Sequence, residues 1–469
     1  MHFFAIVIIL LAFGTANGQS GRAIEPADET TAATDISVKE LFNEANGYVR
    51  ARVDEFEAKK VRFSEKLLST AQLEQRQLAA KYAASAGQRK NLAGEDFYYM
   101  GMLHWIAENM EGTVQGLESY IAFPDAANDR RQTARLIAIV ALAKQKKLTA
   151  AESLLSDYRK AEPTKLTEIV RMGSELAKGY QIQKDFERMA PHAQAAYDAS
   201  KGLLKEASSR ARGLDEILDA GMLVYEAFRD WGEQRRADDA LDDMRVTAAS
   251  VHSPSFYYYA VDQKIKYMIE TGRKPQALEF YSTSMALAGR ELTVKTAADN
   301  VVSRLKKRDR HYKLLGEAAP EMPSIDQWFP GSPRTFADLK GKVVLIDFWA
   351  TWCGPCFEAF PHLIEWQQEF GAYGFEILGV TRYYGKNGGM PAERPAELDA
   401  LKQFRQKEKL PYDFVVASDQ SIQLLYGGTG LPTAVLIDRK GVIRYIESGT
   451  SPSRMNQMRE VILKLIAEK

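Results

Sequence analysis

Apolar positions divide this chain into distinct regimes. Phe3 to Phe13 is an uninterrupted apolar run of eleven residues. From residue 37 to about 310, apolar residues recur three and four apart, the spacing of a helix with one buried face. After residue 341, short runs rich in Val and Ile alternate with helical stretches, which predicts strands buried on both faces.

The helical regime opens at Ser37-x-x-Glu40, a capping-box pattern. It continues through "VKELFNEANGYVRARVDEFEAKKVRFSEKLLSTAQLEQRQLAAKYAA", which predicts helix with a break near Gly47. Between 95 and 310 a unit recurs five times: an amphipathic helix, a short polar turn, and a second helix with small residues on its buried side. The turns fall near Gly112, Lys147, Lys184, Gln234 and Arg273, mostly 35 to 39 apart with one gap of 50. That period predicts helical hairpins stacked as a solenoid. "KKLTAAESLLSDY" and "RKPQALEFYSTSMA" resemble tetratricopeptide repeats, although the signature Trp, Gly and Tyr positions are only partly filled. An irregular helical bundle is the alternative.

Helical periodicity stops in 306–341, where prolines stand at 320, 323, 330 and 333, and this marks a domain boundary with extended approach segments. Beyond it, "KVVLIDFWA" predicts a buried strand and a helix is expected from about Cys353 to Phe370. "FEILGVTRY" and "YDFVVASD" read as strands around the helix "AELDALKQFRQKEK". "TAVLIDRKGVIRYIESG" reads as a hairpin turning at Arg439-Lys440-Gly441, followed by a closing helix. The pattern predicts a central sheet covered on both faces. The expected organisation is a multidomain α and α/β chain: a leader at 1–18, a polar linker at 19–36, a helical-repeat domain at 37–310 and an α/β domain at 311–469.

The initial apolar run is too short to span a bilayer of about 30 Å as a helix. Small residues follow it, and Ala16-Asn17-Gly18 fits a cleavage site before Gln19. This reads as an export signal, with an uncleaved anchor as the alternative because no Lys or Arg precedes the run. No cysteine lies near it, which excludes a bacterial lipoprotein anchor. The protein is therefore expected outside the cytoplasm, in the periplasm or an equivalent compartment. Lys+Arg and Asp+Glu balance at 62 each, so no global field favours nucleic acid or an anionic membrane.

The chain has two cysteines, Cys353 and Cys356, in "FWATWCGPC". A structural disulfide stabilises by closing a loop, and the gain shrinks with the loop. A bridge enclosing only Gly354 and Pro355 closes almost nothing, so a staple is not expected. A zinc site requires about four ligands, and His362 is the one nearby histidine. A peroxidase of the peroxiredoxin type needs Thr three residues before its cysteine, where Ala350 stands. No cofactor or metal is expected. The pair sits where the strand ending at Ala350 gives way to a helix. Unpaired N–H groups and roughly half a positive charge at a helix start favour a thiolate at Cys353. Thiolate is the attacking form in disulfide exchange, so Cys353 is the expected nucleophile. Cys356, one turn later, is the expected resolving thiol. Trp352 is expected to shelter the pair, and Pro355 suits a first helical turn that needs no donor.

"FWATWCGPC" resembles the active-site motif of the thioredoxin superfamily. With "LLGEAAPEMP…FADLKGKVVLIDFWATWCGPC" and "LPTAVLIDRKGVIRYIESG", residues 314–469 look like the TlpA/ResA-like extracytoplasmic branch. The resemblance implies a thioredoxin fold and thiol:disulfide oxidoreductase activity on protein disulfides or dithiols. It implies that Asp347, six residues before Cys353, accepts the Cys356 proton, against a half-exposed strand acid as the plain reading. It implies that Pro432 is a cis-proline that packs on the disulfide and pairs with substrate backbone, with Leu431 beside it, and that Pro361 kinks the following helix. Many relatives carry Glu three residues after the second cysteine; here that position is Ala359, and the nearest acid is Glu358. The Gly-Pro pair between the cysteines resembles reducing members, which implies a reductant re-reduced by a membrane partner. An oxidase or isomerase is the alternative. So is a helical-repeat scaffold in which the repeats dock a protein partner and the redox domain is accessory.

Overall fold

Residues 36–205 and 207–468 are described in the computed structural model. The leader expected at 1–18 and all but the last residue of the linker expected at 19–36 lie outside the described residues. The chain packs as two compact units, one ending at Pro163 and one running from Thr164 to Lys469.

The first unit holds α1 (Val38–Ala58), α2 (Glu65–Gly87), α3 (Glu95–Ile106), α4 (Met110–Ile121), α5 (Asn128–Lys144) and α6 (Leu148–Lys160). Ser37 caps α1: its hydroxyl accepts from the Glu40 N–H at 3.2 Å, and the Glu40 carboxylate accepts from the Ser37 N–H at 2.9 Å. The helix runs unbroken through Gly47, which corrects the break expected there; the chain turns instead after Ala58. One exposed glycine costs a helix only about 1 kcal/mol, too little to end one of 21 residues. The first repeat turn lies at 107–109, and Gly112 falls in the first turn of α4. Asn109 draws it there by accepting from the Gly112 N–H at 3.0 Å. A Cβ on Gly116 would sit 2.7 Å from the Gly101 backbone nitrogen, so this pair of glycines lets α3 and α4 touch directly.

The second unit begins with α7 (Leu166–Gln183), α8 (Phe186–Leu203), α9 (Arg210–Trp231), α10 (Gln234–Ser250), α11 (Pro254–Glu270), α12 (Lys274–Glu291), α13 (Lys295–Lys307) and α14 (Asp309–Leu314). Every repeat turn carries a residue at positive φ: Glu108 and Lys146 in the first unit, Lys184, Gly232 and Gly272 in the second. A single left-handed residue ends one helix and reverses the chain into the next. Helix persists to Leu314, beyond the boundary expected from 306, because α14 forms before Pro320 stops the pattern.

A six-stranded sheet follows: β1 (Ile325–Phe329), β2 (Val343–Phe348), β3 (Phe375–Arg382), then, past the two-residue strands β4 (Lys386–Asn387) and β5 (Met390–Pro391), β6 (Asp413–Ala417), β7 (Thr433–Ile437) and β8 (Ile443–Ser448). The order is β1-β6-β3-β2-β7-β8. β2, β3 and β6 run parallel, while β1, β7 and β8 pair antiparallel. Four helices interleave: α15 (Gly354–Phe370), α16 (Arg394–Lys407), α17 (Ser421–Leu425) and α18 (Pro452–Ala467). Val343, Leu345 and Leu436 of the sheet bury with Phe360, Leu363 and Trp366 of α15 and with Met455, Met458 and Ile462 of α18. Strand β1 was not expected. Prolines at 323 and 330 flank it, and proline confines a strand to a sheet edge, where β1 indeed lies. The fold is thus a helical-repeat array leading into an α/β sheet domain of the thioredoxin type.

The last helices of the array fasten to the sheet through buried charge. Arg308 clasps the Glu447 carboxylate with two hydrogen bonds of 3.1 Å, Lys266 joins Glu447, and Tyr312 donates to Asp262 at 2.6 Å. Burial opposes these charges, yet Lys266 and Arg308 hold both the Asp262 and the Glu447 carboxyls below the usual range. On the same side, the buried His311 ring bonds the Gly427 carbonyl at 2.8 Å.

Candidate active site

The two cysteines sit where β2 hands over to α15. After Phe348 the chain leaves the sheet, and Cys353 takes the N-cap position with Pro355 in the first turn. The Cys353 N–H donates to the Ala350 carbonyl at 3.0 Å, which folds the connection tightly. Cys353 and Cys356 form a disulfide with their Cα atoms 5.3 Å apart. Cys353 is 4% exposed and Cys356 fully buried at 0%. Both are buried, but of the two only Cys353 keeps any exposure, and it lies at the positive end of α15.

Asp347 is buried at 3% exposure in the middle of the sheet, not half-exposed. In register it stands beside Gly379 on β3 and Ala434 on β7, and neither neighbour has a side chain that could donate to it. Its Oδ2 has no hydrogen-bond partner. Burial alone raises its pKa to about 7. Asp347 lines a cavity of about 10 Å³ together with Ala359, Leu363, Pro432, Tyr445 and Thr450. Ala359 lies three residues after Cys356, and positions three apart share a helix face. The cavity therefore lies on the side of α15 that carries Cys356.

Aromatic rings surround the pair. Trp349 is buried and packs on Phe404 and Phe414, with ring centres 5.1 and 4.7 Å away. Trp352 is 61% exposed and meets the Tyr384 ring edge-on at 5.2 Å, which leaves most of its surface to solvent beside Cys353. Arg382 stacks over the other ring of that pair, its guanidinium 4.2 Å from the Tyr384 centre. The Leu431–Pro432 peptide is cis. Leu431 lines a second small cavity with Trp349, Arg382 and Tyr384, whereas Pro432 lines the Asp347 cavity. Pro361 lies inside α15. Glu358, the acid nearest the Ala359 position, accepts a hydrogen bond from the Thr450 hydroxyl at 3.2 Å.

Sequence reasoning did not single out Gly379, Tyr412, Tyr445 or Thr450. Strand register and the approach of the loop after β8 bring them to the site, and no local motif marks them. Tyr412 is buried, its hydroxyl has no partner, and burial with the Asp347 charge pushes its pKa well up. Among the described residues, no three His, Cys, Asp or Glu side chains gather to hold a metal. No described helix is long and apolar enough to cross a membrane.

The Redoxin family matches residues 315–462. The thiol-disulfide oxidoreductase ResA of Geobacillus thermodenitrificans is 30% identical over 136 residues, covering 29% of this chain and 70% of that protein. Protein DipZ of Mycobacterium bovis is 33% identical over 137 residues, 28% of this chain but only 18% of DipZ. The crystal structure of a thiol:disulfide interchange protein from Chlorobium tepidum is 21% identical, covers 32% of this chain and 97% of its own, and has a TM-score of 0.27. Through its C-terminal third, the chain belongs to the TlpA/ResA-like thiol-disulfide oxidoreductases of the thioredoxin superfamily.

Proposed function

We propose that the protein is an exported reductant of disulfides in extracytoplasmic proteins, acting through the Cys353–Cys356 pair. The observation that carries this reading is the asymmetry of the pair: Cys353 caps the helix start and keeps a trace of exposure, while Cys356 is fully buried on the helix face that also presents Ala359 to Asp347. The Cys353 thiolate attacks one sulfur of a substrate disulfide, whose S–S bond breaks and releases the first substrate thiolate. Asp347 accepts the Cys356 proton, and the resulting thiolate attacks the Cys353 sulfur. The second substrate thiol leaves and the Cys353–Cys356 disulfide forms, so two electrons have passed to the substrate. Trp352 supplies an exposed apolar platform for the incoming chain, and the backbone around Leu431 and Pro432 pairs with it.

Export is supported by the apolar run Phe3–Phe13 and the small residues after it. Continued turnover needs a dithiol donor, and a membrane-bound one suits an exported protein. The domain boundary near 311 and a docking role for the repeats belong to the same reading: the helical array presents protein substrates to the redox site. The test is an insulin reduction assay with the full chain, followed by mixed-disulfide trapping on Cys356→Ala in the native compartment. Loss of reduction in Cys353→Ala, with exported proteins captured on Cys353, is the expected result. Reduction that survives Cys353→Ala overturns it.

A further inference from the structure

The Asp347 cavity contains more polar chemistry than a proton acceptor for Cys356 requires. Its walls come from β2 (Asp347), α15 (Ala359, Leu363), β7 with its preceding proline (Pro432, Ala434), β8 (Tyr445, Glu447) and the segment after β8 (Thr450, Arg454, Met455). Its volume of about 10 Å³ is close to the least that holds one water, and a stable water needs two or more polar partners. Two such partners stand ready: Asp347 Oδ2 and the Tyr445 hydroxyl are both buried and both lack a hydrogen-bond partner. The small side chain at Ala359 keeps the space open.

A buried carboxyl that takes a proton in every cycle must also lose one, and burial blocks direct exchange with solvent. The charged groups around the cavity narrow the exit. Glu447 is committed to Arg308 and Lys266 through both oxygens, which hold it ionised. Arg454 donates to the Ser448 carbonyl and has no proton-accepting atom. The Tyr445 pKa is pushed far up, chiefly by burial, so that hydroxyl can orient a water but not ionise. Tyr412, buried and within reach of the Asp347 charge, is held neutral by burial and by that charge. Thr450 remains. It lines the cavity, and its single hydroxyl proton is shared between Glu358 at 3.2 Å and the Pro355 carbonyl at 3.3 Å. Glu358 is exposed.

We propose that this cavity is the proton exit of the dithiol site: a single water held between Asp347 and Tyr445 connects the Asp347 carboxyl through the Thr450 hydroxyl to Glu358. Protonated Asp347 gives its proton to the water, the water gives one to the Thr450 oxygen, and Thr450 gives its own to the Glu358 carboxylate. One proton moves from Asp347 to the surface, and the water and Thr450 end uncharged. Tyr445 and Thr450 are thus positioning residues for the redox reaction. This rests on the reading of Asp347 as acceptor of the Cys356 proton.

The test uses the full chain, reduced at about pH 6, where Asp347 starts protonated and must empty through the exit before it can take the Cys356 proton, and mixed with a chromogenic aromatic disulfide in stopped flow. The first thiol released reports attack by Cys353, and the second reports resolution by Cys356. Tyr445→Phe and Thr450→Val should each slow the second release about tenfold, a barrier increase of about 1.4 kcal/mol, while Thr450→Ser restores it. Tyr445→Phe should also move the Asp347 carboxyl titration, followed by carbon-13 NMR, upward by about half a unit, because a hydrogen bond to the charged form is lost. The two positions lie on different segments, so a folding failure in one leaves the other to decide, with thermal midpoints as the check. Native second-release rates in folded Tyr445→Phe and Thr450→Val overturn the exit and leave the oxidoreductase reading standing. An absent first release in the native protein overturns both.

Discussion

Ala359 and Asp347 line the same cavity, the first on the helix that carries Cys356 and the second on the central strand. A methyl group there offers the carboxyl neither a donor nor a second charge, and the flanking Gly379 and Ala434 offer none either. Asp347 is therefore set by burial alone, and its pKa of about 7 places its proton exchange near neutral pH.

That setting costs stability in a definite pH range. The folded value lies above the unfolded value of about 3.9, so between the two the folded chain binds the extra proton. Stability is fully present below about pH 4, falls as pH rises through the interval, and stays low above about pH 7. Asp347→Asn should therefore stabilise the oxidised protein by roughly 2–4 kcal/mol at about pH 8, and by almost nothing near pH 4. Urea unfolding at the two pH values measures this, and an equal effect at both contradicts it.

The two cysteines should fail in different ways. Cys353→Ala removes the reachable sulfur and should reduce insulin turnover to the uncatalysed rate. Cys356→Ala leaves attack intact but removes resolution, so covalent adducts should accumulate on Cys353. Non-reducing electrophoresis distinguishes the outcomes, and equal adduct formation by both variants refutes the assignment.

Gly379 admits no side chain. An added Cβ would lie 3.1 Å from both the Trp349 indole nitrogen and the Tyr412 ring, and 3.3 Å from Phe414. Those rings are packed on all sides and cannot move without disturbing the connection to Cys353. Gly379→Ala should cost roughly 1–3 kcal/mol and change the near-ultraviolet circular dichroism of Trp349. An unchanged unfolding midpoint would count against this packing.

Arg308 holds two buried carboxylates at the join of the helical array and β8. Removing one partner of a buried ion pair typically costs about 3–5 kcal/mol, because the remaining charges stay buried without compensation. Arg308→Met should reach that range in urea unfolding, and adding Glu447→Gln should recover part of the loss. If the double variant is worse than the sum of the singles, the pairing is not the source of the effect.

Much of this molecule follows from local pattern. The helix starts and hairpin turns were legible, since left-handed residues at 146, 184 and 272 fall within a residue or two of the expected turns. The strand–helix alternation after residue 341 was legible too, because a buried parallel strand is nearly continuously apolar and few other elements look so. The chemistry of Cys-x-x-Cys at a helix start needs only the helix and the spacing. Gly47 misled, because a glycine costs little in one helix, and β1 was hidden between prolines that are tolerated only at a sheet edge.

The cysteine pair, its place at a helix start and the helical hairpins ahead of it were readable from local pattern, because each depends on residues only a few positions apart. The surroundings of Asp347 are instead set by tertiary contacts. Its burial, the bare neighbours Gly379 and Ala434, the unpartnered Tyr445 hydroxyl and the link from Thr450 to Glu358 come from strands and loops distant in sequence. A carboxyl's acidity depends on everything within a few ångströms in space, and chain order does not encode that distance.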